Sequence, residues 1–300
     1  MSWTGIRPRT GAPAPTLRAR LFSALAFALA LAVVSCATAP SVQRSRAMVQ
    51  DGDVRIDVIV EGTGPAIVLL PSSIRDSEEF DGVAARIAAQ GFRVLRPQPR
   101  GMHGSVGPTD NQTLHSMAKD VVMVVNQLGG GRAVMVGHAY GHFVARVADL
   151  DHPRAVRGVV VLGAAQRNIS QPLLAALALS SDPGKPREER LKALQMSMFA
   201  PGNDASSWLD GWYPQLRPAY SRAAAIPGRD RWWPVSNAPI LDLQGADDPW
   251  RPASTRNELK EALGDKVTVK VIAQASHALV PEQPAAVADN IVAWVRTLPP

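Results

Sequence analysis

The sequence predicts an α/β fold, a doubly wound and mostly parallel sheet with helices on both faces and an inserted helical segment. Two observations lead to this fold class. Short apolar runs typical of strands alternate with helical patterns along most of the chain, as in βαβ units. Three of these runs, Ala66–Leu70, Ala133–Val136 and Val159–Leu162, are apolar at every position, as expected of strands that are covered on both faces.

The predicted strands and helices follow one another in a regular order. After an alternating strand at Val54–Val60, the apolar strands are Ala66–Leu70, Phe92–Leu95, Ala133–Val136, Val159–Leu162, Pro239–Leu243 and Val267–Ile272. Helical patterns cover Phe80–Ala89, Gln112–Leu128, Ser254–Leu263 and about Pro284–Leu298. Gly91 follows the first helix in the position of a C-terminal cap.

The alternation of strands and helices stops between Arg167 and Asn237. This stretch has no strand signal, and it predicts helices at Pro172–Leu179 and Glu188–Phe199. It also contains four of the seven tryptophans, Trp208, Trp212, Trp232 and Trp233, which we expect to form core or to line an apolar pocket. The sequence therefore predicts a core domain at 48–166 and 238–300, interrupted by a helical lid at 167–237.

The first 47 residues predict a membrane-targeting leader. An apolar run from Leu21 to Val34 follows several arginines and is too short to span a bilayer comfortably. It ends just before Cys36, the single cysteine, and the stretch resembles a bacterial lipobox. We expect a lipoprotein-type signal peptide at 1–35 and a flexible tether at 36–47. The alternatives are a plain signal with a chance cysteine, or a short anchor helix.

This interpretation places the protein in the cell envelope, on the periplasmic side, held to the membrane by lipidation at Cys36. A lone cysteine also excludes an intrachain disulfide. The formal net charge of +6 includes four arginines of the first 35 residues, which contain no acid, so +2 remains for the rest. That charge is too small and too scattered for a nucleic-acid surface.

The stretch VMVGHAYGHFVAR, residues 134–146, has the layout of a nucleophile elbow. In the pattern G-x-S-x-G, a serine lies on a sharp turn from a strand to a helix, with its hydroxyl exposed. Gly137 and Gly141 occupy the two glycine positions. The serine position is Ala139, which has no hydroxyl and cannot form an acyl-enzyme.

Residues 48–298 resemble the α/β-hydrolase superfamily, in its small, lidded branch. Besides the elbow, four landmarks come in the same order as in that superfamily: Leu69–Ser73 as the oxyanion loop, Pro97–Gly101 as the P-D-x-R-G turn, Gly245–Pro249 as the acid turn and Ser276–Ala278 as the histidine loop. Gln98 departs from the pattern, which usually has an acid there.

The resemblance implies a set of site residues. His277 would be the catalytic base and Asp248 its carboxylate partner, with Asp247 as the fallback. The oxyanion hole would consist of the backbone N–H groups of Tyr140 and Ser72, with Ser73 as the neighbour. Because these donors belong to the main chain, alanine in place of serine removes neither.

The sequence supports other catalytic groups in the same region less well. Ser72 and Ser105 are poor substitutes for the missing nucleophile, since neither lies on a strand-turn-helix elbow. His138 and His142 have the spacing of a zinc-binding pair, but His138 belongs to the strand end and the general-base glutamate is missing. We expect His142 to pack behind the elbow, and we expect neither a metal nor a cofactor.

Three functions remain open at this point. In the first, the chain is an enzyme that acts on a small, largely apolar carbonyl or ester-type substrate through the His277–Asp248 pair and the backbone oxyanion hole, without a covalent nucleophile. Its chemistry would be hydrolysis or, by analogy with relatives of the fold, a non-covalent lyase or oxygenase reaction. Alternatively, it is an inactive pseudo-hydrolase that binds a small ligand, or a serine esterase inactivated by a Ser-to-Ala change. The sequence leaves the oligomeric state undetermined.

Overall fold

The computed structural model describes residues 1–5, 11 and 43–299. Its internal contacts divide the chain into residues 1–41 and 42–300, and everything below concerns the second unit. Most of the predicted signal peptide, and the predicted tether from Cys36 to residue 42, lie outside the described residues. No helix in the described part of the chain combines the length and apolar character needed to cross a membrane.

Eight strands form one sheet in the order β1-β2-β4-β3-β5-β6-β7-β8. The strands are β1 (Arg44–Asp51), β2 (Val54–Glu61), β3 (Ala66–Leu70), β4 (Arg93–Pro97), β5 (Ala133–His138), β6 (Val156–Leu162), β7 (Ile240–Gly245) and β8 (Val267–Ile272). β2 pairs antiparallel with β1 and β4, and all other pairs are parallel. The predicted fold class is therefore confirmed.

Four helices cover the two faces of the sheet. They are α1 (Asp81–Ala89), α2 (Leu114–Leu128), α3 (Gly141–Asp151) and α10 (Pro284–Val295). Alternate residues of β3 separate two cores: Val68 and Leu70 pack with α2 and α3, whereas Ile67 and Leu69 pack with α1 and α10. This arrangement explains why β3 is apolar at every position.

The segment between β6 and β7 is helical, as the sequence predicts. It contains α4 (Gln171–Ser180), α5 (Arg187–Ser197), α6 (Arg217–Ala223) and α7 (Arg229–Trp232), and two short 3₁₀ helices, Ala205–Trp208 and Pro214–Leu216, lie between α5 and α6. Its tryptophans Trp208, Trp232 and Trp233 are buried in the hydrophobic clusters, while Trp212 is partly buried. After β7 come α8 (Glu258–Leu263) and, before α10, the one-turn α9 (Leu279–Glu282).

The structure corrects the predicted start of the folded core. Residues 44–47, assigned to a flexible tether, form the first half of β1. The strand was missed because it lies at the edge of the sheet and Val49 is its only buried residue, so its sequence RSRAMVQD lacks the apolar pattern of the others. Arg46 also forms ion pairs with Asp57 and Glu78. The core domain therefore begins at Arg44 rather than at residue 48.

The junction between β5 and α3 requires both glycines of the elbow. A Cβ added at Gly141 would lie 2.2 Å from the carbonyl oxygen of Leu70 and 2.7 Å from that of Pro71. At Gly137 it would lie 2.3 Å from the amide nitrogen of His142. Main chain thus meets main chain without side chains between, and the N-terminus of α3 is held against the end of β3.

We expect Gly141→Ala to lower the free energy of unfolding by about 3 kcal/mol, because the new methyl group must displace backbone. Urea denaturation followed by circular dichroism measures the change. Gly184→Ala is the matched control, since its Cβ would meet only the end of the Asp182 side chain, at 3.2 Å, and should change stability by less than about 0.5 kcal/mol. Equal losses in the two variants would contradict the close approach.

Candidate active site

The elbow at Ala139 keeps the strained backbone of a nucleophile turn. β5 ends at His138, α3 begins at Gly141, and Ala139 between them has φ of +45°. A left-handed conformation costs an L-residue about 1–2 kcal/mol, so alanine has no local reason to adopt it. The surrounding packing imposes the turn. The elbow geometry therefore does not depend on the hydroxyl that is missing.

His277 and Asp248 lie in contact, on the loops that follow β8 and β7. The Nδ1 atom of His277 is 3.1 Å from Oδ2 of Asp248, and the other carboxylate oxygen accepts the Trp250 amide at 2.8 Å. Both residues are at least 95% buried. Asp247, the fallback acid, is exposed. Because the carboxylate faces Nδ1, the ring presents Nε2 on its opposite side.

The inserted segment packs directly over this pair. The rings of Trp250 and His277 lie 5.1 Å apart at an angle of 32°. The Trp250 indole donates a hydrogen bond to the Ser197 carbonyl at the end of α5, and the Ala278 amide donates to the Met198 carbonyl. The orientation of the imidazole is therefore fixed from the inserted segment as well as from the sheet.

The structure changes one predicted oxyanion donor. The Ser72 amide already donates to Oε1 of Glu79 at 2.9 Å, so it cannot also serve an oxyanion, and the prediction for Ser72 is wrong. The next residue, Ser73, has an amide with no acceptor within residues 43–299, and the same holds for Tyr140. The available pair of donors is Ser73 and Tyr140.

A buried network beside the elbow was missed by sequence reasoning. Oε1 of Glu79 lies 2.9 Å from Nδ1 of His138, Oε2 accepts the Arg75 Nε–H at 3.1 Å, and Nε2 of His138 lies 2.8 Å from the His277 carbonyl oxygen. The Arg75 guanidinium lies over the rings of Trp208 and Trp212, 4.3 and 4.6 Å from their centroids. No spacing pattern joins positions 75, 79 and 138, so this contact has no signal in the sequence.

The zinc interpretation of His138 and His142 fails in the structure. His138 is engaged by Glu79 and the His277 main chain. His142 packs against Phe143, Trp232 and Trp233, as expected of a residue behind the elbow, and neither of its ring nitrogens has a partner. Burial, followed by the charges of nearby arginines, lowers the pKa of His142 well below its usual value. Its ring is therefore neutral.

One group in the described ranges has the spacing of metal ligands: Asp76, Glu78 and His103, whose ligand atoms lie within 4.8 Å of one another. Glu78 is already occupied, because Arg46 donates to one of its oxygens and Gln98 to the other, both at 2.6 Å. A guanidinium at the carboxylate opposes the binding of a metal cation there.

Ser105, considered above as a substitute nucleophile, is buried and hydrogen-bonded elsewhere. Its Oγ donates to the Gln98 carbonyl and accepts the Asp57 N–H.

A small cavity of about 50 Å³ adjoins the elbow. Tyr140 and Gly141 form one wall, Tyr220 of α6 another, and Leu70 and Met117 lie among its apolar residues. The Tyr140 hydroxyl donates to the Tyr220 carbonyl at 3.0 Å, and burial raises the pKa of this phenol. His277 is not among the residues that line the cavity, so the cavity touches the elbow from the side of Tyr140.

Comparison with known proteins agrees with the fold. The sequence profile described as "Alpha/beta hydrolase family" matches residues 67–290, well over half of the chain. The chain belongs to the alpha/beta hydrolase family.

Among curated members of this family, zearalenone hydrolase from Bionectria ochroleuca is 32% identical over 192 residues, covering 61% of this chain and 69% of that protein. Fluoroacetate dehalogenase from a Burkholderia species is 34% identical over 122 residues, covering 39% of this chain but only 40% of the dehalogenase. The thermophilic esterase of Thermogutta terrifontis matches with a TM-score of 0.68 at 19% identity, covering 85% of this chain and 98% of the esterase, which shows the fold alone.

Gln98, which departs from the alpha/beta hydrolase pattern, is used as both acceptor and donor. Its amide oxygen accepts the Ser77 N–H at 3.0 Å, and its NH₂ group donates to Glu78. A carboxylate at this position would place a second negative charge against Glu78. The substitution therefore fits the local hydrogen bonds and supports the turn that leads to Glu79.

Beneath the acid turn of this hydrolase-family chain, Asp242 on β7 makes stability depend on pH. Burial raises the pKa of Asp242 to about 6, and the charge of Arg251 opposes that rise. The folded state therefore holds the Asp242 proton more tightly than the unfolded state does. The stability that Asp242 contributes to the folded state is fully present below about pH 4 and is lost as the pH rises through about 6.

Asp242→Asn should remove that pH dependence. Relative to the parent, the variant should gain up to about 3 kcal/mol between pH 4 and pH 7, the equivalent of a shift of about two pKa units. Urea denaturation at several pH values measures the difference. A difference that does not change with pH would contradict the prediction.

Proposed function

We propose that this chain is a hydrolase-like enzyme that acts on a small, largely apolar carbonyl or ester-type substrate without a covalent nucleophile. The observation that carries the proposal is the 3.1 Å contact between His277 and Asp248, retained beside an elbow that has lost its hydroxyl. The Asp248 carboxylate fixes the orientation of the imidazole through Nδ1 and stabilises the imidazolium. Ligand binding alone would not require this contact.

The chemistry assigned to the pair is general-base catalysis. Nε2 of His277 takes a proton from water while the water oxygen bonds to the carbonyl carbon, and the carbonyl π electrons move to oxygen. The amides of Tyr140 and Ser73 stabilise that oxyanion. When the carbonyl re-forms, the bond to the leaving group breaks, and the imidazolium returns its proton to the leaving group. Asp248 stabilises the imidazolium meanwhile.

The substrate class rests on the surroundings of the elbow. The cavity next to Tyr140 is lined mainly by apolar side chains, and Tyr220 of the inserted segment borders it. We propose that this segment acts as a lid. The relatives named above, a dehalogenase of fluoroacetate and a hydrolase of zearalenone, carry names of small-molecule substrates, which supports a small molecule here too.

A ligand-binding pseudo-hydrolase is the second candidate. The placement of the cavity favours it, because the cavity borders Tyr140 and its lining lacks His277. For either function we propose a lipid anchor at Cys36 that holds the protein on the periplasmic side of the cell envelope. That part of the proposal rests on the basic and apolar leader that precedes the single cysteine.

Hydrolysis of p-nitrophenyl acetate tests the proposed function. We expect slow turnover by the native chain, a loss of about 100- to 10,000-fold in His277→Ala, and no labelling by a fluorophosphonate, since no hydroxyl lies at the elbow. His115→Ala is the control, because His115 is an exposed partner of Asp151 far along the chain from both loops. Equal activity in His277→Ala and the parent would exclude this mechanism.

A further inference from the structure

Glu79 and His138 form a second carboxylate–imidazole pair next to the first. Their side chains are fully buried, with 2.9 Å between Oε1 and Nδ1. The ring centroid of His138 lies 5.8 Å from that of His277. His138 immediately precedes Ala139, so the pair lies directly beside the elbow. The chemistry described above uses neither residue.

The hydrogen-bond partners of His138 fix its protons. Nε2 faces the His277 carbonyl oxygen, which can only accept, so Nε2 carries a hydrogen. Nδ1 faces a carboxylate oxygen of Glu79, and this contact also needs a proton between the two atoms. The ring and the carboxyl therefore share one extra proton. Together with the Arg75 guanidinium, the cluster holds one net positive charge in the interior.

The three partners of this pair belong to three different parts of the site. Through Ser72 it holds the oxyanion loop, and through the His277 carbonyl it holds the histidine loop. Through Arg75, which lies over two tryptophan rings and donates to the Asp210 carbonyl, it contacts the inserted segment. An unpaired buried polar group is costly, so each of these contacts resists displacement of its loop.

We propose that Glu79 and His138 are positioning residues, which keep the Ser73 amide and the His277 imidazole in register across Ala139. The charge of the cluster has the sign that favours an oxyanion at the elbow. The inference rests on the proposed function insofar as these donors serve an oxyanion. Its test is separate, because it measures alignment of the site rather than turnover by the native chain.

The test uses Ala139→Ser as the background and a fluorophosphonate as the probe. The restored hydroxyl reacts only where His277 can take its proton and the two amides can hold the phosphoryl oxygen. The inactivation rate constant then reports alignment, and the apparent binding constant reports access of the probe. We expect the background variant to be labelled, and failure of labelling would overturn the proposal.

Two substitutions of His138 separate positioning from packing. In this background, His138→Met loses both hydrogen bonds and should lower the inactivation rate constant by up to about 100-fold, since small displacements of reacting groups cost that much. His138→Gln can still donate to the His277 carbonyl and should stay within about threefold of the background. The binding constant should not change in either variant.

Glu79→Gln provides a second route if His138→Met does not fold. An amide cannot accept at both positions of the carboxylate, so one contact, to Arg75 or to Ser72 and His138, is lost, and the rate constant should fall without a change in binding. His115→Gln, in the exposed pair with Asp151, is the matched control and should have no effect. Unchanged labelling in His138→Met or Glu79→Gln would overturn the proposal, as would equal losses in His138→Met and His138→Gln.

Discussion

The close approach of α3 to the end of β3 is the constraint on which the site depends. Gly141 has no Cβ, so the first turn of α3 lies against the carbonyl oxygens of Leu70 and Pro71. That contact holds Ala139 at φ of +45° and presents the Tyr140 amide beside the oxyanion loop. None of these interactions involves the side chain at position 139, so the elbow survives the loss of a hydroxyl.

Compared with a serine at position 139, alanine therefore lacks only the side-chain hydroxyl and its interactions. A serine would supply an attacking oxygen and a hydrogen bond to His277, whereas the main-chain donors and the Asp248–His277 contact remain. An oxyanion donor in serine proteases contributes about 3–4 kcal/mol to transition-state stabilisation, and the proposed function assigns the same role to the amides of Ser73 and Tyr140. The remaining groups are those that a reaction with water as the nucleophile requires.

The sequence predicts the sheet, its helices and the inserted segment well, because each depends on local apolar patterns and turn residues. It also predicts the contact of His277 with Asp248, since both residues follow late parallel strands whose carboxyl ends meet in one crevice. Ser72 was assigned a free amide because nothing local shows that Glu79, seven residues later, folds back to accept it. β1 was not predicted because an edge strand with one buried residue has no apolar pattern.

The same limit explains why the Arg75–Glu79–His138 cluster is visible only in the structure. Charged residues four positions apart, such as Arg75 and Glu79, are ordinarily exposed to solvent. Their burial is favourable only when other parts of the chain supply hydrogen-bond and ion-pair partners. Here the partners are a strand end, the histidine loop and two tryptophans of the inserted segment. Breaking a buried ion pair costs more than the pair contributes, because the group left behind is buried without its partner. If the inserted segment acts as the proposed lid, its displacement would remove contacts of Arg75, and through Glu79 and His138 that loss would reach the oxyanion loop and His277.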